Sequence, residues 1–356
     1  MQNPETSVDK LIYNIFMPSN IEQLIAQNQT KINFESVLDQ YGWIKESNQN
    51  CILSPDSDGL LCGLFMSHFL NWDIKGFYDG KVLVHDQDTE IKDCIFLDIE
   101  IFRKDIRSCG QHMLLKNYNQ IPSNWSNFEN CLQPNLLRNY DQLHTFRLKY
   151  PLATIHLLMA LLEKRFDLQI TKKAIPPLYF TDGLFNVLFS YPENVLNWLE
   201  FLRLEENNGA FRFLFKNDDY AVYELMKDMN NFFRQRDEIS VKRERGDRLK
   251  ISETSGDPCN LIETSSNIYK IEDDAVERIT RFLKILSDGT DWTFKKSSWS
   301  FDNLTLNRMT KEDFNNPKRN FNGPNYMDVL ERNPISWAIT SGLNMEYSFD
   351  TNNVFG

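Results

Sequence analysis

No two of the six cysteines, at positions 51, 62, 94, 109, 131 and 259, have C-x-x-C spacing. A disulfide framework and a zinc ribbon are therefore not expected, and reduced, mostly core thiols fit a cytoplasmic protein. Long apolar runs are missing as well. The longest, residues 60–70 and 153–162, fall short of the ~20 residues that span a bilayer, so no membrane role is expected. The amino-terminal Met-Gln-Asn-Pro-Glu-Thr is polar and lacks the basic-then-apolar order of a secretory signal. There is no internal repeat and no low-complexity tract. Positive charge is scarce: 39 Lys and Arg stand against 50 Asp and Glu, a formal net charge of -11. Phosphate neutralisation needs clustered bases, so non-specific coating of nucleic acid is disfavoured, although a local basic groove is still compatible.

What is present is ample apolar material, 41% of 356 residues, enough for a sizeable core and more than one small domain. The informative stretch is 51–112. It reads Cys51-Ile-Leu-Ser-Pro-Asp56-Ser-Asp58-Gly59, then Cys94-Ile-Phe-Leu-Asp98-Ile-Glu100, then Gly110-Gln111-His112. The acidic groups each follow a short apolar run, as side chains do at the carboxyl end of a buried parallel strand. Open α/β sheets bind ligands at that edge. Asp56-Ser57-Asp58-Gly59 taken alone is a turn that N-caps a helix starting near Leu60. A second strand-end carboxylate, Asp98, favours a divalent-metal site, because clustered carboxylates with an imidazole suit Mn²⁺ or Mg²⁺.

These segments resemble the first three motifs of the DHH phosphoesterase superfamily. Residues 150–162, followed by Phe180-Thr181-Asp182-Gly183, resemble the helix and final Asp motif that close the family's catalytic domain. The resemblance covers roughly residues 50–200. It implies an α/β domain with a mostly parallel sheet and flanking helices, one or two Mn²⁺ (or Mg²⁺) ions, and phosphodiester hydrolysis. It also implies roles: Asp56, Asp58, Asp98, His112 and Asp182 as metal ligands, with Asp98 bridging and Asp98 and His112 at the centre of catalysis. The sequence departs from the pattern where Ile52 and Ser54 stand at a ligand position ahead of the first Asp, and where Gly110-Gln111-His112 replaces Asp-His-His.

Periodicity places strands at 51–53, 73–78, 81–85 and 94–97 and helices at 60–72, about 193–204, 220–233 and 272–288, the last ended by Gly289. Phe211, Phe213 and Phe215 alternate with Arg212 and Leu214 and predict a short strand. Short helices are expected within 8–47, a turn-rich loop at 253–267, and strand character from Pro334 onward. The domains read as 1–50, a helical segment; 51–205, the DHH-like α/β domain; 206–290, a mostly helical connector; and 291–356, a smaller α+β domain. Arg103, Lys104 and Arg107, close in sequence to Asp98, are candidates for holding a substrate phosphate. Glu100 is a second-choice acid at the same strand end. His68 and His156 read as packing residues. The charged run 234–251 reads as an exposed strand or linker with paired charges, or as a guide for a phosphodiester backbone.

Two functions are expected to compete. One is a metal-dependent phosphodiesterase or nuclease acting on a single-stranded oligonucleotide or small nucleotide. The other is a catalytically degenerate DHH-like scaffold or nucleotide-sensing subunit of a larger bacterial complex, with an ATPase in phage defence as a conceivable partner.

Overall fold

The computed structural model describes residues 20–217, 220–241, 246–314, 329–339 and 345–355. Before the first strand lie α1 (Asn20–Gln27) and α2 (Phe34–Gln40), the latter N-capped by the Asn33 side chain. The apolar positions Leu11, Ile12, Ile15 and Phe16 lie outside the described residues.

Strand β1 (Asn50–Leu53) is buried along three of its four positions and leads into α3 (Ser57–Leu70). Then come β2 (Asp73–Tyr78), β3 (Val82–Asp86), β4 (Cys94–Leu97), β5 (Arg107–Cys109) and β6 (Cys131–Leu132). After two one-turn helices, Pro134–Leu137 and Gln142–Thr145, follow α4 (Thr154–Phe166), α5 (Ile175–Phe180), α6 (Leu184–Ser190), α7 (Pro192–Phe201), α8 (Ala210–Phe215) and α9 (Val222–Asp237). The chain continues through β7 (Leu261–Ser265), β8 (Ile268–Ile271), α10 (Asp273–Thr290), β9 (Leu304–Arg308), β10 (Thr310–Phe314), β11 (Ser336–Ile339) and β12 (Met345–Phe349).

Among the described residues, nine strands form one sheet in the order β6-β5-β4-β1-β2-β3-β9-β8-β7, parallel from β6 to β2 and antiparallel from β2 onward. The fold is thus α/β with a mixed sheet. A second, antiparallel sheet has the order β10-β12-β11. Strands β7 and β8, from the segment read as a connector and loop, and β9, from the carboxyl-terminal segment, complete the sheet begun by 51–205. Among the described residues, no helix is long and apolar enough to cross a membrane.

The central helix α3 is apolar on all sides because it is enclosed: 12 of its 14 residues are buried. Its first turn lies against the end of β1, where only glycine fits. A Cβ on Gly59 would stand 2.0 Å from the Ser54 carbonyl oxygen. The helix stops at Asn71, whose left-handed backbone (φ 55°) is one that Asn tolerates.

Two expectations are corrected. Residues 210–215 are a helix and not a strand: Ala210, Phe211 and Leu214 are buried at helical spacing, and Phe211 packs edge-on against Phe215 one turn later. The short alternation of Phe with Arg and Leu fits both periods, and packing against the core decided it. Gly289 does not end its helix; it lies within α10, where a Cβ would approach Pro177 Cγ to 3.1 Å. The charged run from 234 is helical through Asp237, and 242–245 lie outside the described residues.

Candidate metal centre and cleft

The chain leaves β1 through α3 to β2 on one side and later adds β4 on the other side of β1. Strand order therefore reverses at the β1/β4 boundary, and the crevice beyond the carboxyl ends of those strands is where such sheets hold ligands. Asp56 follows β1 and Asp98 follows β4, so both fall at this point.

Asp98 adopts φ 60°, a conformation that Asp accepts more readily than most residues, and its N–H donates to the Cys109 carbonyl at 2.8 Å. Its side chain is 2% exposed. Oδ1 accepts from the Thr154 hydroxyl at 2.8 Å, Oδ2 is buried with no hydrogen-bond donor among the described residues, and the Asp58 carboxyl is close enough to share a proton with Asp98. Burial first, then the charges of Asp58, Asp56 and Asp182, push the Asp98 carboxyl well above the usual range. An orphaned buried carboxylate oxygen is costly unless a proton or a cation joins it.

Oxygen and nitrogen atoms of Asp98, His112 and Asp182 lie within 4.8 Å of one another. Two acidic oxygens and one imidazole nitrogen are a donor set for Mn²⁺ or Mg²⁺. His112 Nδ1 is 3.9 Å from Asp98 Oδ1 and 3.5 Å from Glu100 Oε2. Burial disfavours its charged form, but Glu100 and Asp182 outweigh that and raise its pKa to about 9. Asp182, an exposed residue that is not among those lining the cleft, adopts a left-handed conformation (φ 50°), and the crowding of its carboxyl by protein, followed by the Asp58 charge, raises its pKa to about 8. The Gln111 side-chain amide donates to Asp182 Oδ2 and holds it in place.

Asp56 and Asp58 do different work. Asp56 N-caps α3, accepting from the N–H groups of Asp58 and Gly59 at 3.2 and 3.4 Å, and also lines the cleft. Asp58 is wholly buried; its oxygens accept from the N–H of Thr154 at 2.6 Å and of Ile155 at 3.0 Å. It caps α4 from 96 residues away, where the helix dipole favours an anion. Burial, opposed first by a side-chain hydrogen bond with Asp98 and then by these backbone bonds, still leaves its pKa raised. His156 caps the same end: Nδ1 accepts from the Ala153 N–H at 3.0 Å and Nε2 lies 3.1 Å from the Leu178 carbonyl. Burial lowers its pKa to about 3, so it is a neutral packing residue.

The cleft beside this cluster has a volume of about 480 Å³. Asp56, Asp98 and Glu100 form its acidic side, with His112 beside them; Arg248, Lys250, Lys81 and Lys311 also line it, with Trp337 and Tyr347. The segment carrying Arg248 is tied down by the Leu249 N–H, which donates to the Pro55 carbonyl at 2.7 Å, one residue from Asp56. Arg248 makes no ion pair among the described residues, whereas Lys250 pairs with Glu253 and Lys311 with Glu346.

Arg103, Lys104 and Arg107 are not among the cleft residues. Arg103 donates to the Phe102 and Pro334 carbonyls, Arg107 to Gln49 Oε1 and the Asp93 carbonyl, and Lys104 pairs with Glu129. Nearness in sequence to Asp98 did not carry them to the site, because residues 101–107 run away from it before β5 returns. Sequence reasoning missed Thr154, Lys149 and Lys311, and had Arg248 only as one of several bases in the run 234–251. Lys149 is near enough for its charge to act on His112 and Asp182. Arg248 lay in the one locally basic run, which was the only available signal.

No protein-family model, curated protein or solved structure matches this chain.

Proposed function

We propose that the cleft holds a divalent cation, Mn²⁺ or Mg²⁺, at Asp98, His112 and Asp182 and hydrolyses a phosphodiester in an oligonucleotide or small nucleotide. The observation that carries this reading is the buried carboxyl of Asp98, whose Oδ2 has no hydrogen-bond donor among the described residues, in a cluster whose other metal-binding groups are an imidazole and a second carboxylate. The DHH resemblance supports it, since these three are among the five ligands it implies, Asp56 and Asp58 being the others. When bound, the cation supplies a water of lowered pKa and positive charge for the developing phosphorus oxygens.

The chain's own residues complete the site. Thr154 fixes one oxygen of Asp98 and Gln111 fixes one oxygen of Asp182, so both carboxylates are preorganised. Arg248, which lines the same cleft and makes no ion pair among the described residues, attracts the phosphate. A volume of about 480 Å³ suits a nucleotide-sized group. Calorimetric titration of Mn²⁺ into metal-free protein should show one strong site that Asp98→Asn abolishes, with hydrolysis of short oligonucleotides or small nucleotides lost in parallel. Equal Mn²⁺ binding by the variant would refute the assignment.

A second reading is supported by Asp58. Its oxygens are committed to the Thr154 and Ile155 N–H groups, which leaves three clustered ligands. In that case the domain binds nucleotide without turning it over and serves as a sensing or scaffold subunit beside a partner such as an ATPase. Nucleotide binding by the wild type, with no hydrolysis at any Mn²⁺ or Mg²⁺ concentration, is its expected signature.

A further inference from the structure

His112 is a half-exposed side chain, at 39%, and an exposed imidazole does not hold a fixed orientation unaided. Its anchor is Glu100, two residues beyond Asp98 and only 2% exposed. Glu100 Oε1 accepts from the Met113 N–H at 2.9 Å, which stops the carboxylate from rotating, and Oε2 lies 3.5 Å from His112 Nδ1. The space that Glu100 fills belongs geometrically to position 110. A Cβ on Gly110 would stand 2.7 Å from Glu100 Cδ and 2.8 Å from Oε2, closer than Cβ atoms come to other atoms. A side chain at 110 therefore requires the Glu100 carboxylate to leave the place where the Met113 N–H holds it.

We propose that Glu100 is the positioning residue of the metal centre: it orients His112 toward Asp98 and Asp182, and its carboxylate fills the space that a side chain at position 110 would take. Gly110 is the vacancy that admits it. Carboxylates behind metal-bound histidines commonly matter about 10–100-fold in metal affinity. The proposal rests on the metal reading given above.

Four variants of the full chain test it: Glu100→Ala, Gly110→Ala, the double variant Glu100→Ala/Gly110→Ala, and the transplant Glu100→Ala/Gly110→Asp. Mn²⁺ affinity is read by calorimetry, and the His112 ring resonances are read by NMR in metal-free protein. Glu100→Ala should weaken Mn²⁺ binding about 10–100-fold and move the His112 ring resonances while backbone amides distant from the site stay in place. Gly110→Ala should do the same by displacing Glu100, and should add nothing once Glu100 is already Ala. The transplant should restore both readouts, which a purely structural role for Glu100 would not produce. Unchanged ring resonances in Glu100→Ala, or a transplant no better than Glu100→Ala, would overturn the proposal. The NMR readout needs no metal, so it judges Glu100 even if Asp98→Asn shows the metal reading to be wrong.

Discussion

Asp58 is expected to be a structural anion and not a metal ligand, and Asp58→Ala separates the two roles. The substitution removes the acceptor of the Thr154 and Ile155 N–H groups and leaves two buried donors unsatisfied, each costing about 1–3 kcal/mol. Part of that loss is returned, because a buried carboxylate beside Asp98 is itself expensive to desolvate and to keep charged. The net destabilisation should be about 2–4 kcal/mol, within the range for losing a strong N-cap plus a buried network. Unfolding entropy of about 2.1 cal/mol/K per residue makes ~0.7 kcal/mol per degree for a chain of this size, so Tm should fall by about 3–5 °C. Scanning calorimetry measures the fall, and Mn²⁺ titration of the same sample should show affinity within about threefold of wild type, since no ligand is lost. If Tm is unchanged and Mn²⁺ binding disappears, Asp58 is a ligand and the argument from its hydrogen bonds is wrong.

Acidity should act with a definite sign. Asp98 and Asp182 are raised and His112 is raised to about 9 in the folded metal-free protein. The folded state therefore holds protons that the unfolded chain has released, and stability present below about pH 4 for the carboxyls and below about 6.5 for His112 is lost as pH rises toward 8–9. Thermal scans from pH 5 to 9 should show the metal-free protein weakening, with Mn²⁺ reversing the trend at the alkaline end; a flat profile would count against the cluster. Arg248→Ala should raise KM about 10-fold or more, since a charge-assisted contact contributes about 1.5–3 kcal/mol, and should leave Mn²⁺ affinity alone. Arg103→Ala, tested beside it, should leave KM unchanged, and the opposite ranking would return the phosphate site to the loop after β4. Gly59→Ala should destabilise by about 1–3 kcal/mol through the clash with the Ser54 carbonyl, as a shift in urea midpoint would report.

The sequence by itself determined the local elements around the site. Apolar runs closed by carboxylates located β1 and β4 to within a residue, and the Asp-x-Asp-Gly turn marked the start of α3, because buried strands and caps are governed by neighbours in the chain. Asp98, His112 and Asp182 were named from motif order, yet nothing in the sequence fixed which carboxylates would share one point. Only the tertiary structure decided that Asp58 turns inward to cap α4, that Glu100 takes the space at Gly110, and that Arg248 and not Arg103 lines the cleft. The reason is physical: capping and strand burial are satisfied within a few residues, whereas a buried charge must find partners wherever the fold brings donors to it. For Asp58 those donors lay 96 and 97 residues away.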